Sequence, residues 1–212
     1  DDALPVVRSE AERVDPHPVY AAMTRHRVSR TFARPGIRDA VMVGYMGLVK
    51  QIDDELGRLF AFMEARGLME NTMIVFCADH GDFLGDHWLG EKELFYDTVQ
   101  RVPFIAVDPR READASRGRV DERFVEGVDL VPTVLDFLGV PGASQRIEGR
   151  SLLPLIRGEA PAWRDFVYSE LDYGFREARV RLGKTPQQAR AFSIRDTRWR
   201  YVHWLDEPEQ LF

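Results

Sequence analysis

The sequence has a single cysteine, no long apolar run and no excess of basic charge, and each of these absences narrows the possible functions. Cys77 is the only cysteine among 212 residues, so no disulfide can form within the chain, and we expect a reducing, cytoplasmic compartment. No apolar run approaches the roughly 18 residues of a membrane span, and no signal-peptide pattern appears at the start. We therefore expect no membrane partner.

The charge balance also argues against polyanionic partners. The formal net charge is −6 at pH 7, whereas nucleic acids and anionic membranes attract basic surfaces. Hydrophobic residues make up 44% of the chain and charged residues 30%, which suits a globular protein able to bury a sizeable core. Local basic clusters still leave room for a small anionic substrate.

A long amphipathic helix is predicted between Gly36 and Gly67. Its apolar residues recur every three or four positions and form one stripe: Val41, Tyr45, Leu48, Ile52, Leu56, Leu59 and Met63. The acidic cluster at 53–55 lies mostly off this stripe, and we interpret it as a solvated helix face rather than a metal site.

Two short apolar runs predict buried strands. The first, TMIVFCA at 72–78, is rich in β-branched and aromatic residues and predicts a fully buried, parallel strand. The second, VPFIAV, spans 102–107, and VDLVPTVLDFLGV at 128–140 predicts a short helix with Asp129 as its cap. Strands and helices in this order favour an α/β domain with a parallel sheet over residues 1–160.

The pattern changes in the last part of the chain. The segments FVYSEL, RAFSIR and RWRYVHW alternate polar and apolar residues over short lengths. This alternation predicts a small antiparallel sheet, which we assign to a C-terminal subdomain at 161–212.

The residues directly after TMIVFCA suggest chemistry. Asp79 and His80 stand where the chain leaves the first strand, and ligands gather at the carboxyl ends of strands in α/β sheets. A carboxylate oxygen and an imidazole nitrogen suit Mn²⁺, Fe²⁺ or Zn²⁺ better than Ca²⁺. Lys92, twelve residues beyond His80, is placed to neutralise charge on an anion bound to such a metal.

These residues resemble a known family. The runs Ala78–Gly81 and Leu84–His87, followed by Lys92, are similar to the second metal-binding segment of sulfatases and phosphonate monoester hydrolases, within the alkaline phosphatase superfamily. The resemblance implies an alkaline-phosphatase-like, mostly parallel sheet flanked by helices, followed by the antiparallel sheet. Asp-His stands where many sulfatases have Asp-Asn and is similar to the phosphonate monoester hydrolases and choline-sulfatases. The region around His17-Pro18 and the late segment SELDYGFRE also resemble the phosphonate monoester hydrolases, which are therefore the preferred relatives.

The resemblance also implies roles for individual residues. Asp79 and His80 would be metal ligands, with Mn²⁺ favoured and Zn²⁺, Fe²⁺ or Ca²⁺ possible. Lys92 would be catalytic, contacting the non-bridging oxygens of a small anionic ester. Asp86 and His87 would order the loop around the ligands. His17 lies in a Pro-flanked segment that resembles a substrate-contacting segment of the family, but its position does not match and we leave it out of the site.

The family nucleophile is absent from this chain. It is a formylglycine made from Cys or Ser in a Cys/Ser-x-Pro-x-Arg motif, and the sequence contains no such motif. We expect a parent protein that hydrolyses phosphonate or phosphate mono- or diesters as a homo-oligomer, with its nucleophile on an N-terminal part. The alternatives are a sulfatase of the choline-sulfatase kind and, for these residues alone, a non-catalytic structural fragment.

Overall fold

The computed structural model describes residues 7–140 and 146–212. Its helices are α1 (Pro18–Thr24), α2 (Arg27–Phe32), α3 (Ile37–Ala65), α4 (Asp97–Gln100), α5 (Leu130–Phe137), α6 (Leu153–Ile156) and α7 (Glu177–Arg181). Its strands are β1 (Ile74–Cys77), β2 (Phe104–Val107), β3 (Val167–Asp172), β4 (Arg190–Arg195), β5 (Arg200–Trp204) and β6 (Gln210–Leu211). Short 3₁₀ turns occupy Glu10–Arg13, Asp86–Trp88, Arg111–Ser116, Gly127–Asp129 and Pro186–Gln188.

The residues form two compact units, each assembled from separate stretches of the chain. The first contains the described residues of 1–52, 80–102 and 168–212. The second contains 53–79 and the described residues of 103–167. The α/β fold class is confirmed, while the boundary between residues 160 and 161 stays a prediction.

Helix α3 confirms the predicted long helix, but its apolar stripe is largely exposed. Gly36 and Gly67, on either side of the helix, have φ angles of 73° and 66°, which glycine adopts without steric cost. Of the stripe, Met63 is buried, whereas Leu48 is 60% and Ile52 is 52% exposed. Periodicity therefore predicted the helix correctly but not its burial. No helix in the described residues has the length and apolar character needed to cross a membrane.

Strands β1 and β2 pair in the direction opposite to the one expected. They run antiparallel, with Ile74 opposite Val107 and Cys77 opposite Phe104. Parallel neighbours are joined by a long crossover connection, usually an α-helix. The segment between β1 and β2 contains only the four-residue helix α4 and one 3₁₀ turn. Strand β1 is also partly exposed rather than fully buried. An apolar run by itself does not specify the direction of pairing.

The predicted C-terminal antiparallel sheet is confirmed. Its strand order is β3-β4-β5-β6, and β4–β5 and β5–β6 are both antiparallel. Residues on β5 alternate between buried and exposed, as expected for a sheet with one solvated face. Val202 and Trp204 point into the core of the first unit.

That core also anchors the loop that carries the candidate site. Phe83, Leu89, Leu94 and Phe95 are each at most 6% exposed and pack in one cluster with residues of α1 and β5. Because these apolar anchors lie on both sides of Lys92, the loop is fixed at several points while Lys92 itself stays exposed.

In the second unit, Asp129 is not the helix cap that the sequence predicts. It precedes α5, but its side chain accepts no hydrogen bond from that helix. Instead, its carboxylate is fully buried and accepts two hydrogen bonds from Arg164, at 2.5 and 2.6 Å. Burial by itself would raise the pKa of Asp129, but these bonds and two backbone N–H groups outweigh it and hold the pKa below its ordinary value.

Candidate active site

The chain passes close to the backbone of residues 98–99 as it enters the site loop, and Gly81 makes this close approach possible. Its backbone N–H donates to the Val99 carbonyl at 2.8 Å. A Cβ atom at this position would lie 2.1 Å from the Thr98 carbonyl oxygen, closer than any non-bonded contact allows. The Asp-His pair is therefore followed by glycine because the loop packs backbone against backbone here.

His80 and Lys92 lie side by side in the site loop. Lys92 Nζ lies 2.6 Å from His80 Nε2, although twelve positions separate the residues. His80 Nδ1 lies 2.8 Å from the Gly81 carbonyl oxygen, and since a carbonyl only accepts, Nδ1 carries the ring proton. The lone pair is then on Nε2, directed toward Lys92. Nε2 therefore accepts a hydrogen bond from the Lys92 ammonium group in this structure.

Asp79 is the residue before His80, and its side chain is exposed two positions after the end of β1. No group of three or more His, Cys, Asp or Glu side chains suited to one metal ion occurs within 7–140 and 146–212. Asp79 and His80 have the oxygen and nitrogen donors expected of a ligand pair, so they fit part of a metal shell.

Asp86 fixes the site loop to segments near the start of the chain. Its carboxylate accepts the Val7 backbone N–H at 3.1 Å and lies 3.5 Å from an Arg38 guanidinium nitrogen. The preceding residue, Gly85, has a φ of 95° and lies close to Phe32 and Arg38. These contacts tie the site loop to Val7 and Arg38.

His87 also contacts loop neighbours. Its Nδ1 lies 2.7 Å from a Glu12 carboxylate oxygen, and its ring lies 4.1 Å from the Tyr96 ring. Tyr20 donates its hydroxyl to the His87 backbone carbonyl at 2.6 Å. Burial raises the pKa of Tyr96 to about 12, so this phenol stays protonated at neutral pH. The predicted ordering role of Asp86 and His87 stays a prediction, consistent with these contacts.

His17 bonds to backbone groups and packs on an aromatic ring. It precedes α1, accepts the Val19 backbone N–H on Nδ1 at 3.3 Å and donates from Nε2 to the Pro208 carbonyl at 3.0 Å. Its ring lies against Trp204. Burial lowers the pKa of His17, which favours the neutral ring that these bonds require.

Sequence reasoning missed Arg176, which contacts the carboxylates on both sides of Lys92. Its guanidinium forms ion pairs with Glu91 and Glu93. The segment SELDYGFRE contains this arginine, but nothing in its spacing indicates a partner more than eighty positions upstream. Only the fold brings Arg176 to the loop.

Comparison with protein families gives two overlapping matches. The Sulfatase family model matches residues 14–140. A second model, N-sulphoglucosamine sulphohydrolase, C-terminal, matches residues 85–211. Each match covers more than half of the chain, and together they include the whole site loop.

Individual relatives point in the same direction. The chain is 34% identical to the multifunctional alkaline phosphatase superfamily protein PehA of Trinickia caryophylli over 79% of its own length and 33% of the relative's. It is 35% identical to an arylsulfatase of Clostridium perfringens over 61% of its length and 27% of the relative's. The phosphonate monoester hydrolase SpPMH from Silicibacter pomeroyi superposes with a TM-score of 0.86 at 30% identity, covering 99% of this chain and 44% of that one. The chain thus spans less than half the length of these relatives.

Proposed function

The chain belongs to the sulfatase family, and from this premise we propose that it supplies one wall of the active site of a metal-dependent ester hydrolase. The preferred substrates are phosphonate or phosphate mono- and diesters. The nucleophile, a formylglycine by family resemblance, belongs to a part of the protein other than these 212 residues.

The observation that carries the proposal is the contact between Lys92 and His80. The Lys92 ammonium group lies 2.6 Å from His80 Nε2, so the two side chains reach the same point; a cation bound to Nε2 would replace this hydrogen bond and leave the ammonium group to contact the substrate. An anionic ester held there would have its oxygens close to both charges. Such an arrangement stabilises the charge that develops on those oxygens in the transition state.

Asp79 and His80 would hold the metal ion, with Mn²⁺ favoured over Zn²⁺, Fe²⁺ and Ca²⁺. The proton on Nδ1 of His80, fixed by the Gly81 carbonyl, leaves Nε2 with the lone pair that a metal ligand needs. When bound, a divalent cation supplies Lewis-acid polarisation of the substrate oxygens. The other ligands would come from elsewhere in the protein.

Lys92 would act through its charge. The exposed ammonium donates hydrogen bonds to the non-bridging oxygens of the transferred group, and it needs no proton transfer to do so. Its side chain leaves a loop that is anchored by buried Leu94 and Phe95, so the backbone beneath it is fixed before the substrate arrives.

A sulfate ester is the second candidate substrate, because the arylsulfatase relative matches this chain as closely in identity as PehA does. We prefer phosphorus on the strength of the TM-score of 0.86 and the 30% identity with SpPMH.

The test compares aryl esters that share one leaving group. The full-length protein, loaded with Mn²⁺, is assayed with the phosphonate monoester, the phosphate diester and the sulfate ester of p-nitrophenol. We expect the largest kcat/KM for a phosphorus ester. A larger value for the sulfate ester would establish the second candidate, and no metal-dependent turnover of any ester would contradict the proposal. The isolated 212-residue chain serves as the control, and we expect it to be inactive.

A further inference from the structure

Arg176 binds the two residues that flank Lys92. Its Nη1 forms an ion pair with Glu91 Oε2 at 2.9 Å. Its Nη2 contacts Glu93 Oε1. The Arg176 side chain is 20% exposed, and that of Glu93 is 11% exposed, so this cluster is largely removed from solvent. All of these residues belong to the first compact unit.

The backbone under these residues has an unfavourable conformation. Glu91 and Leu94 have φ angles of 65° and 79°, in the left-handed region that side chains other than glycine rarely adopt. Such residues keep this conformation only when surrounding contacts hold them in place. On one side, Phe83 donates its N–H to the Glu91 carbonyl at 2.9 Å, and Gly90 donates to Ser29 Oγ at 3.2 Å. Arg176 supplies the contacts to the side chains.

Arg176 also changes the charge around Lys92. Glu91 and Glu93 place two carboxylates beside the ammonium group that would bind the substrate anion. Unpaired, they would repel that anion and compete for Lys92. A guanidinium forms two directed contacts at once, so a single residue engages both carboxylates and leaves Lys92 directed away from them, toward His80.

We propose that Arg176 is a positioning residue, which holds Glu91 and Glu93 and thereby keeps Lys92 directed at the substrate oxygens. This inference rests on the proposed function for its effect on turnover. The contacts by which Arg176 holds the loop at Glu91 and Glu93 do not depend on the proposed function.

The first experiment measures kcat and KM of the full-length, metal-loaded protein with the aryl ester that it hydrolyses best. Arg176→Gln should lower kcat by about tenfold to a hundredfold, the usual effect of losing a group that orients a catalytic residue. Arg176→Lys should recover little of the lost kcat, because an ammonium group lacks the planar guanidinium geometry that contacts both carboxylates at once. Arg181→Gln is the matched control, since Arg181 lies on α7 and forms an exposed pair with Glu177. It should change kcat by less than about twofold.

A double-mutant cycle separates positioning from general stability. If Arg176 acts through Lys92, adding Arg176→Gln to Lys92→Ala should leave kcat within about twofold of Lys92→Ala alone. If Arg176→Gln lowers kcat by the same factor with and without Lys92, Arg176 does not act through Lys92 and the proposal is overturned.

Amide hydrogen exchange tests whether Arg176 holds the loop, independently of activity. Amides at 90–95 should exchange faster in Arg176→Gln than in the unsubstituted protein, and not in Arg181→Gln. Unchanged exchange in Arg176→Gln would overturn the proposal even in an active enzyme. Faster exchange in a protein that hydrolyses no ester would support the role of Arg176 in holding the loop and would contradict the proposed function.

Discussion

The ammonium group of Lys92 lies 2.6 Å from Nε2 of His80, and the proton on the opposite ring nitrogen of His80 is held by the Gly81 carbonyl. These contacts fix which nitrogen faces the candidate site. All variants below are made in the full-length protein.

His80→Ala should weaken metal binding. The substitution removes Nε2, the ring nitrogen with the lone pair that would bind the metal, so the Kd for Mn²⁺ should rise by more than about tenfold. Metal content after dialysis, measured by plasma mass spectrometry, reports the change. The control is His203→Ala, because His203 pairs with exposed Glu209 on the sheet. Equal metal content in both variants would exclude His80 as a ligand.

His87→Ala should affect stability more than chemistry. The ring bonds to Glu12 and packs on Tyr96, so its removal should lower the melting temperature while kcat changes only a few-fold. Glu12→Gln should have a similar but smaller effect on melting. A large loss of kcat with an unchanged melting temperature would instead make His87 a participant in the reaction.

Asp129→Ala should strongly destabilise the protein. Removing Asp129 leaves the buried Arg164 guanidinium with only the partly exposed Glu126 carboxylate as its ion-pair partner, and loss of one partner of a buried pair costs about 3–5 kcal/mol. Asp114→Ala is the control, since Asp114 pairs with Arg117 in an exposed position and should cost less than about 1 kcal/mol. Denaturant unfolding of both variants gives the comparison, and similar losses would contradict the role of the buried pair.

The same carboxylate should make stability depend on acid pH. The pKa of Asp129 is lowered in the folded protein, so its contribution is complete above the ordinary aspartate pKa of about 4 and is lost as the pH falls through the lower folded value. Between about pH 5 and pH 3, the unsubstituted protein should therefore lose more unfolding free energy than Asp129→Asn. Parallel pH profiles for the two proteins would show that Asp129 does not contribute this dependence.

Local patterns predicted much of the fold. The spacing of apolar residues predicted α3, and strict alternation predicted the strands of the C-terminal sheet. The continuous apolar runs of β1 and β2 contain no information on strand direction, which is why their antiparallel pairing was missed. Burial of the α3 stripe was also not predictable, because periodicity identifies an apolar face without identifying what covers it.

The candidate site was predictable to the extent that its residues are close in sequence. Asp79, His80 and Lys92 lie within one strand-loop segment with a recognisable motif. Arg176 and Arg164 act on residues far from them in the chain, and only the tertiary structure brings those partners together. Positioning contacts of this kind have no spacing that a sequence could reveal.

The central claim is a metal-dependent hydrolase in which Lys92 contacts the substrate. The turnover of Lys92→Ala tests it most directly. With saturating Mn²⁺ and the best aryl ester, kcat should fall by roughly 10²–10³-fold, while metal content stays unchanged because Lys92 is not a ligand. Lys50→Ala, on an exposed part of α3, should retain full activity. A Lys92→Ala enzyme with the kcat of the unsubstituted protein would contradict the assignment of this lysine and of the site built around it.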